Sequence, residues 1–140
     1  TQYSPVDLDA ATRTVDGEAR GEPRLGQQAV AWVIRNRADW SPPAWWGKTI
    51  YGVCHQPWQF SAWNGGPDTI HLTALDGASA EYVAIQNLVK SVFDGDVDDP
   101  TNGATMYKVT NSTASWDSAV ADIEPIIIGR HSFWKLPPNA

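Results

Sequence analysis

Apolar residues recur every three to four positions in three stretches of the chain, and each pattern predicts a helix. The first runs over about residues 5–16, from a Ser-Pro start to Gly17. The second runs from Pro23 to about Ala38. Because apolar residues occupy several of its faces, we expect it to be buried nearly all round at the centre of the core. The third spans Gly77 to Phe93.

The remaining patterns are shorter. One short helical segment is predicted around Ile50 to Cys54, and the aromatic and polar stretch from Gln56 to Pro67 is interpreted as a loop or a small hairpin. Ala104–Thr110 and Ile126–Trp134 favour extended structure. Helices therefore dominate beside a minor sheet or β-hairpin, so we expect an α+β fold in which residues 1–140 form one domain.

Composition narrows the possible partners. The net charge is −6, which disfavours nucleic acid as a partner, and the longest apolar run, residues 29–34, is too short to span a membrane. We expect a soluble monomer. The chain also carries eight Trp, four Tyr and three Phe, enough to fill a core and to line a cleft that receives flat, amphipathic groups such as sugar rings.

The sequence gives little support for a metal site or for a Ser-His-Asp hydrolase. Cys54 is the single cysteine and is expected to be a small buried apolar residue. His55, His71 and His131 lack the close spacing of a zinc motif, and the acidic stretch at residues 94–100 lacks the glycine and the distant glutamate of a calcium loop. The sequence has no Gly-x-Ser-x-Gly elbow. We expect neither a metal nor a cofactor.

The segment between the first two helices carries several charged residues close together. Glu18 lies between Gly17 and Gly21, where the backbone can turn sharply and a ligand can approach closely. Glu22 follows four residues later, with Arg20 between the two acids. One interpretation is a catalytic carboxylate. The other is an ion pair between Glu18 and Arg20, with Glu22 placed at the start of the second helix.

Four blocks of the sequence resemble one known family. They are Val15–Arg37, which contains Gly-Glu-Ala-Arg-Gly-Glu, followed by Tyr51–Trp63, Asp99–Tyr107 and Ile128–Phe133. In this order they resemble the SleB/CwlJ-like cell wall hydrolases, the family of spore-cortex lytic enzymes and related phage endolysins. The resemblance covers nearly the whole chain.

This resemblance implies a lysozyme-like catalytic domain that cleaves the glycan strands of peptidoglycan between N-acetylmuramic acid and N-acetylglucosamine. The first glutamate of the motif, Glu18, would be the acid. Glu22 would be structural or a helper, and we include it among the expected substrate-binding residues. Further cleft residues implied by the matching blocks are Gln59, Phe60, Ser61 and Trp63 on one wall and Tyr107 on the other.

Glycosidic cleavage requires a proton on the leaving oxygen. A free glutamic acid titrates near pH 4.3, so we predict that Trp and Phe side chains desolvate Glu18 and keep it protonated near neutral pH. If Glu18 works alone, an anhydro sugar forms, as in a lytic transglycosylase. If Glu22, Asp16 or Asp68 positions a water, the product is a hydrolysed reducing sugar.

Two other classes of function remain open. A carbohydrate-binding module would explain the aromatic residues without a catalytic acid. An amidase would cut the stem peptide and would normally require zinc. For the favoured enzyme, we expect action on the bacterial cell wall, either as a phage endolysin made in the host cytoplasm or as a secreted mature enzyme.

Overall fold

A computed structural model describes residues 2–40, 45–56 and 59–136. The helices are α1 (Pro5–Ala19), α2 (Arg24–Ala38), α3 (Ile50–Cys54), α4 (Pro67–Ala74) and α5 (Ala80–Phe93). The strands are β1 (Met106–Val109), β2 (Ile126–Ile128) and β3 (His131–Trp134), and two 3₁₀ turns lie at Ser61–Trp63 and Asp117–Val120. The predicted α+β class, mainly helical with a small sheet, is confirmed.

Local chemistry explains where α1 and α5 begin. The Ser4 hydroxyl accepts a hydrogen bond from the Asp7 backbone N–H at 3.1 Å, and the Asp7 carboxylate accepts one from the Ser4 N–H at 2.9 Å. This reciprocal capping satisfies amide donors that a helix start otherwise leaves free. At the start of α5, the Ser79 hydroxyl accepts a single hydrogen bond from the Tyr82 N–H at 3.1 Å. The predicted third helix therefore starts at Ala80 rather than at Gly77.

The core lies where α1, α2 and α5 pack together. As predicted, α2 is buried on several faces: Ala29, Val30, Ala31, Val33 and Ile34 are all fully buried. Cys54 at the end of α3 is also buried, as expected, and this burial raises the pKa of its thiol to about 12. A thiol in this environment remains protonated and packs as an apolar group.

The sheet is antiparallel in the order β1-β3-β2, with β3 at its centre. The single extended segment predicted over residues 126–134 is two strands, because the chain turns between Ile128 and His131. Gly129 has a φ of +59° there, and a Cβ at this position would lie 2.6 Å from the Glu22 Oε1 atom. Both observations explain why this turn needs a glycine.

Helix α4 was not predicted from the sequence. It begins at Pro67 after two glycines with positive φ, and Leu72 is its one buried residue. A helix this short, with a single buried side chain, leaves no periodic apolar signal. Within the described part of the Gln56–Pro67 stretch, the expected loop or hairpin is a loop that contains the 3₁₀ turn at Ser61–Trp63.

Candidate active site

Glu18 lies in the last turn of α1 and is half-buried. Its Oε2 atom accepts a hydrogen bond from the Ala62 backbone N–H at 2.9 Å and one from the Ser61 hydroxyl at 3.2 Å. The Tyr107 hydroxyl donates to its Oε1 atom. Both oxygens are therefore fixed by groups from distant parts of the chain, so the side chain has one defined orientation.

Gly17 makes this arrangement possible. A Cβ on residue 17 would lie 2.6 Å from the Ala62 Cβ and 2.7 Å from the Leu72 Cδ2. Real Cβ atoms do not approach other carbons so closely, so only glycine lets the 3₁₀ turn and α4 pack against the end of α1. This close packing brings the Ala62 N–H within reach of Glu18.

Tyr107 on β1 is held by neighbouring rings. It stacks on Phe133 at 5.5 Å between ring centroids, and Phe60 lies behind it at 6.3 Å. Burial, together with the adjacent Glu18 carboxylate, raises the pKa of Tyr107 well above its usual value of 10. The phenol therefore keeps its proton. Its hydroxyl can donate to a carboxylate or accept from a carboxylic acid, so it can bind Glu18 in both protonation states.

A cavity of about 280 Å³ opens beside Glu18. Of the predicted cleft residues, Gln59, Ser61 and Tyr107 line it together with Glu18. The other described lining residues are Gly17, Asp68, Lys108, Val109, Arg130 and His131. Of these, Asp68 is one of the three acids predicted as able to position a water. A second cavity of about 260 Å³ shares Glu18 with this one and extends toward Arg20.

Phe60 and Trp63 are not among the described residues that line this cavity. Phe60 is buried under Tyr107, and the Trp63 indole N–H donates to the Thr14 hydroxyl at 2.8 Å. The groups that the structure places on the Glu18 carboxylate are polar donors, so an apolar pocket of Trp and Phe side chains around this acid stays a prediction. Trp58 of the same block lies outside the described residues.

Glu22 is buried next to the cleft and is absent from the described lining. Its carboxylate accepts hydrogen bonds from the Arg130 backbone N–H at 2.9 Å and the Arg130 Nε at 3.0 Å, and His131 Nδ1 lies 3.3 Å away. Burial alone would raise the pKa of Glu22, but these partners outweigh it and lower that pKa below 4.5. Glu22 thus anchors the β2–β3 turn, from which Arg130 reaches the cleft.

Asp68 is the second carboxylate in the described lining of the cleft. Its Oδ1 atom accepts from the Arg20 guanidinium at 2.7 Å, and its side chain is 55% exposed. Among the three acids considered for positioning a water, Glu22 and Asp16 do not line the cavity in the part of the chain described. Asp68 is therefore the one of these three predicted acids that the described lining contains.

The family model for cell wall hydrolases matches residues 21–134 of this chain. The chain belongs to the cell wall hydrolase family. The matched region begins three residues after Glu18, so it covers the predicted cleft residues but not the predicted acid. This membership confirms the family resemblance identified from the sequence blocks.

Curated relatives include two spore cortex-lytic enzymes. One, from Bacillus cereus, is 36% identical over 135 residues, which are 95% of this chain and 46% of the relative. The other, from Halalkalibacterium halodurans, is 35% identical over 132 residues, which are 94% of this chain and 35% of the relative. The chain therefore spans less than half the length of these relatives.

Solved structures agree with the fold. The catalytic domain of the Bacillus cereus SleB protein is 31% identical, with a TM-score of 0.72 over 96% of this chain and 94% of that domain. The catalytic domain of the germination-specific lytic transglycosylase SleB from Bacillus anthracis is 30% identical, with the same TM-score over 96% and 98%. These likenesses confirm the expected lysozyme-like fold.

Proposed function

We propose that this domain cleaves the glycan strands of peptidoglycan between N-acetylmuramic acid and N-acetylglucosamine, with Glu18 as the general acid and base. The observation that carries this proposal is the fixed Glu18 carboxyl group at the edge of an open cavity. It is held by Tyr107, Ser61 and the Ala62 N–H. The names of the similar spore cortex-lytic enzymes support the same class of substrate.

The proposed reaction needs one acid. Protonated Glu18 donates to the leaving oxygen as the bond from C1 to that oxygen breaks. The carboxylate then accepts the proton of the muramic acid 6-hydroxyl while that oxygen bonds to C1, which closes an anhydro ring and restores the acid. Tyr107 can hydrogen-bond Glu18 before and after the transfer, so the side chain keeps its position throughout.

Hydrolysis is the second candidate reaction, and the position of Asp68 favours it. Asp68 lines the same cavity as Glu18, so it could position a water against C1. Its ion pair with Arg20 and its exposure argue that it is tied to the protein surface instead. We therefore favour the single-acid reaction and expect Asp68→Asn to leave the product unchanged.

The decisive experiment replaces Glu18 with Gln. We expect clearing of purified cell walls to fall by about 10²–10⁴-fold or more, because a positioned general acid contributes that much. Circular dichroism should show an intact fold, and Glu124→Gln, an exposed acid elsewhere, should keep full activity. Undiminished clearing by Glu18→Gln would refute the assignment.

Product analysis separates the remaining alternatives. Mass spectrometry of digested peptidoglycan should find anhydro sugar ends, whereas hydrolysis would yield reducing ends one water heavier. An amidase would release new amino groups, and a binding module would retain walls without cleaving them. We expect activity to persist in EDTA at temperatures where the protein stays folded.

We expect the domain to act on the bacterial cell wall as a monomer, whether it is delivered as an endolysin or by secretion. The net charge of −6 supports a partner other than nucleic acid. No helix in the described residues is long and apolar enough to cross a bilayer.

A further inference from the structure

Three potential metal ligands converge on the side of α1 that faces α4 and α5. His71 Nε2 lies 2.8 Å from Glu81 Oε2 and 3.4 Å from Asp16 Oδ2. One ligand atom from each of the three residues lies within 4.8 Å of the others. We call Asp16, His71 and Glu81 the rear cluster. None of its members lines the cavities beside Glu18 within the described residues.

Asp16 is the unusual member. Its side chain is fully buried, and in the described residues neither of its oxygens accepts a hydrogen bond. A buried carboxylate without a hydrogen bond is costly, so such groups normally acquire a hydrogen bond, a proton or a cation. The Glu81 carboxylate faces Asp16 and repels it, while His71 and the more distant Arg20 attract it. A cation between the two acids would relieve the repulsion between their carboxylates.

The spacing fits a small tetrahedral ion. Two ligands bound at about 2.0 Å with tetrahedral angles lie about 3.3 Å apart. The 3.4 Å between His71 Nε2 and Asp16 Oδ2 matches this spacing, and the 2.8 Å between His71 Nε2 and Glu81 Oε2 would widen slightly when an ion binds. A bound ion would replace the hydrogen bond between His71 Nε2 and Glu81 Oε2. His71 and Glu81 are each 39% exposed, so water can reach the remaining coordination position.

We propose that the rear cluster binds one divalent transition-metal ion, for which Zn²⁺ is the natural probe. One imidazole and two carboxylates suit Zn²⁺, whereas Mg²⁺ and Ca²⁺ prefer sites made of oxygen ligands alone. The sequence shows no close spacing of ligands that would predict this site. These three come from three helices and are separated by 55 and 10 residues along the chain.

The bound ion is structural in this proposal. It joins the end of α1 to α4 through His71 and to the start of α5 through Glu81. Helix α4 also carries Asp68 at the cleft and Leu72 against Gly17. Fixing α4 therefore stabilises one wall of the cleft from behind, without any contact between the ion and the substrate.

The test is a Zn²⁺ titration of the full chain after removal of metals with a chelator. We expect calorimetry to show one ion bound per chain and the melting temperature to rise with Zn²⁺, since a ligand of the folded state stabilises it. His71→Ala and Glu81→Gln should each weaken binding by about tenfold or more, because even outer-sphere partners of a metal contribute about 10–100-fold. Millimolar Mg²⁺ or Ca²⁺ should not reproduce the shift in melting temperature.

Matched controls come from the same chain. His55→Ala removes a histidine that stacks on Tyr51 and Trp63, and Glu124→Gln removes an exposed acid; both should keep the Zn²⁺ affinity of the unmodified protein. Glu81→Gln changes a partly exposed side chain, so it tests the site even if His71→Ala unfolds. Absence of Zn²⁺ binding, or binding that survives Glu81→Gln, overturns the proposal. Both results leave the role of Glu18 untouched.

Discussion

Two acids, two residues apart on α1, have opposite surroundings. Glu18 accepts hydrogen bonds from Tyr107, Ser61 and the Ala62 N–H and faces an open cavity. Asp16 is fully buried, and neither of its oxygens has a hydrogen-bond partner in the described residues. A separation of two residues turns the side chains to different sides of a helix. One helix end can therefore present a reactive acid on one side and a potential ligand on the other.

The different surroundings of Glu18 and Asp16 depend on the close packing at Gly17, which lies between them. Gly17→Ala should therefore have the largest effect, which we expect on the free energy of unfolding. The added methyl would meet the Ala62 Cβ at 2.6 Å and the Leu72 Cδ2 at 2.7 Å. We expect the free energy of unfolding to fall by about 3 kcal/mol, at the upper end of the usual cost of overpacking. Urea denaturation measures this loss.

Gly21→Ala is the matched control. Its Cβ would meet no heavy atom closer than the Arg130 Nη2 at 4.0 Å, and its φ is not in the left-handed region. Its stability should be unchanged or slightly higher, because alanine restricts the unfolded chain. Equal losses in both variants would show that the close packing at Gly17 has no special role.

Tyr107→Phe should have the second-largest effect, and we expect this effect on activity rather than on the fold. Removing the hydroxyl leaves the ring stack with Phe133 but frees Glu18 Oε1. A hydrogen bond to a charged group is worth about 1.5–3 kcal/mol, so wall clearing should fall by about 10–100-fold. Tyr51→Phe, at an exposed tyrosine, should leave clearing unchanged. Full activity of Tyr107→Phe would contradict the positioning role of the hydroxyl.

The side of α1 that carries Glu18 could largely be predicted from sequence, whereas the side that carries Asp16 could not. Helical periodicity and the family blocks pointed to α1, Glu18 and Tyr107 without coordinates. The rear cluster requires His71, which belongs to a helix with one buried residue and no apolar pattern. Glu22 shows the same limit, since its partner Arg130 lies 108 residues away and is brought close only by the β2–β3 turn.

Asp16→Asn should have a moderate effect and should stabilise the metal-free protein. Burial, followed by repulsion from Glu81, raises the pKa of Asp16 from 3.8 to about 6. A raised pKa means that the folded state is penalised once pH exceeds 3.8, with the full penalty above about pH 6. We therefore expect Asp16→Asn to raise the free energy of unfolding by about 1–2 kcal/mol at pH 8 in EDTA.

The gain should largely disappear near pH 4, because Asp16 of the folded protein is then protonated and uncharged like the asparagine that replaces it. Asp122→Asn, at an exposed site, should show no such pH dependence. Urea unfolding of the three proteins at both pH values gives the comparison. A loss of stability in Asp16→Asn at pH 8 would mean that its carboxylate is compensated by a partner.

The smallest effect concerns Glu22, which is buried like Asp16 but supplied with donors like Glu18. Burial opposes ionisation, yet the hydrogen bonds from Arg130 outweigh it and lower the pKa of Glu22 below 4.5. A lowered pKa contributes stability above the ordinary value, and that stability is lost as pH falls through the lowered one. The difference in unfolding free energy between the unmodified protein and Glu22→Gln should therefore narrow from pH 6 to pH 3.

Other acids also titrate over this range, so the informative quantity is the difference between the two proteins rather than the stability of either. Glu124→Gln, at an exposed position, should differ from the unmodified protein by the same small amount at both pH values. If the difference for Glu22→Gln stays constant, Arg130 and His131 do not favour the charged form. A difference that widens toward pH 3 would mean that burial governs Glu22 as it governs Asp16, and the contrast with Asp16 would then rest on Glu18 alone.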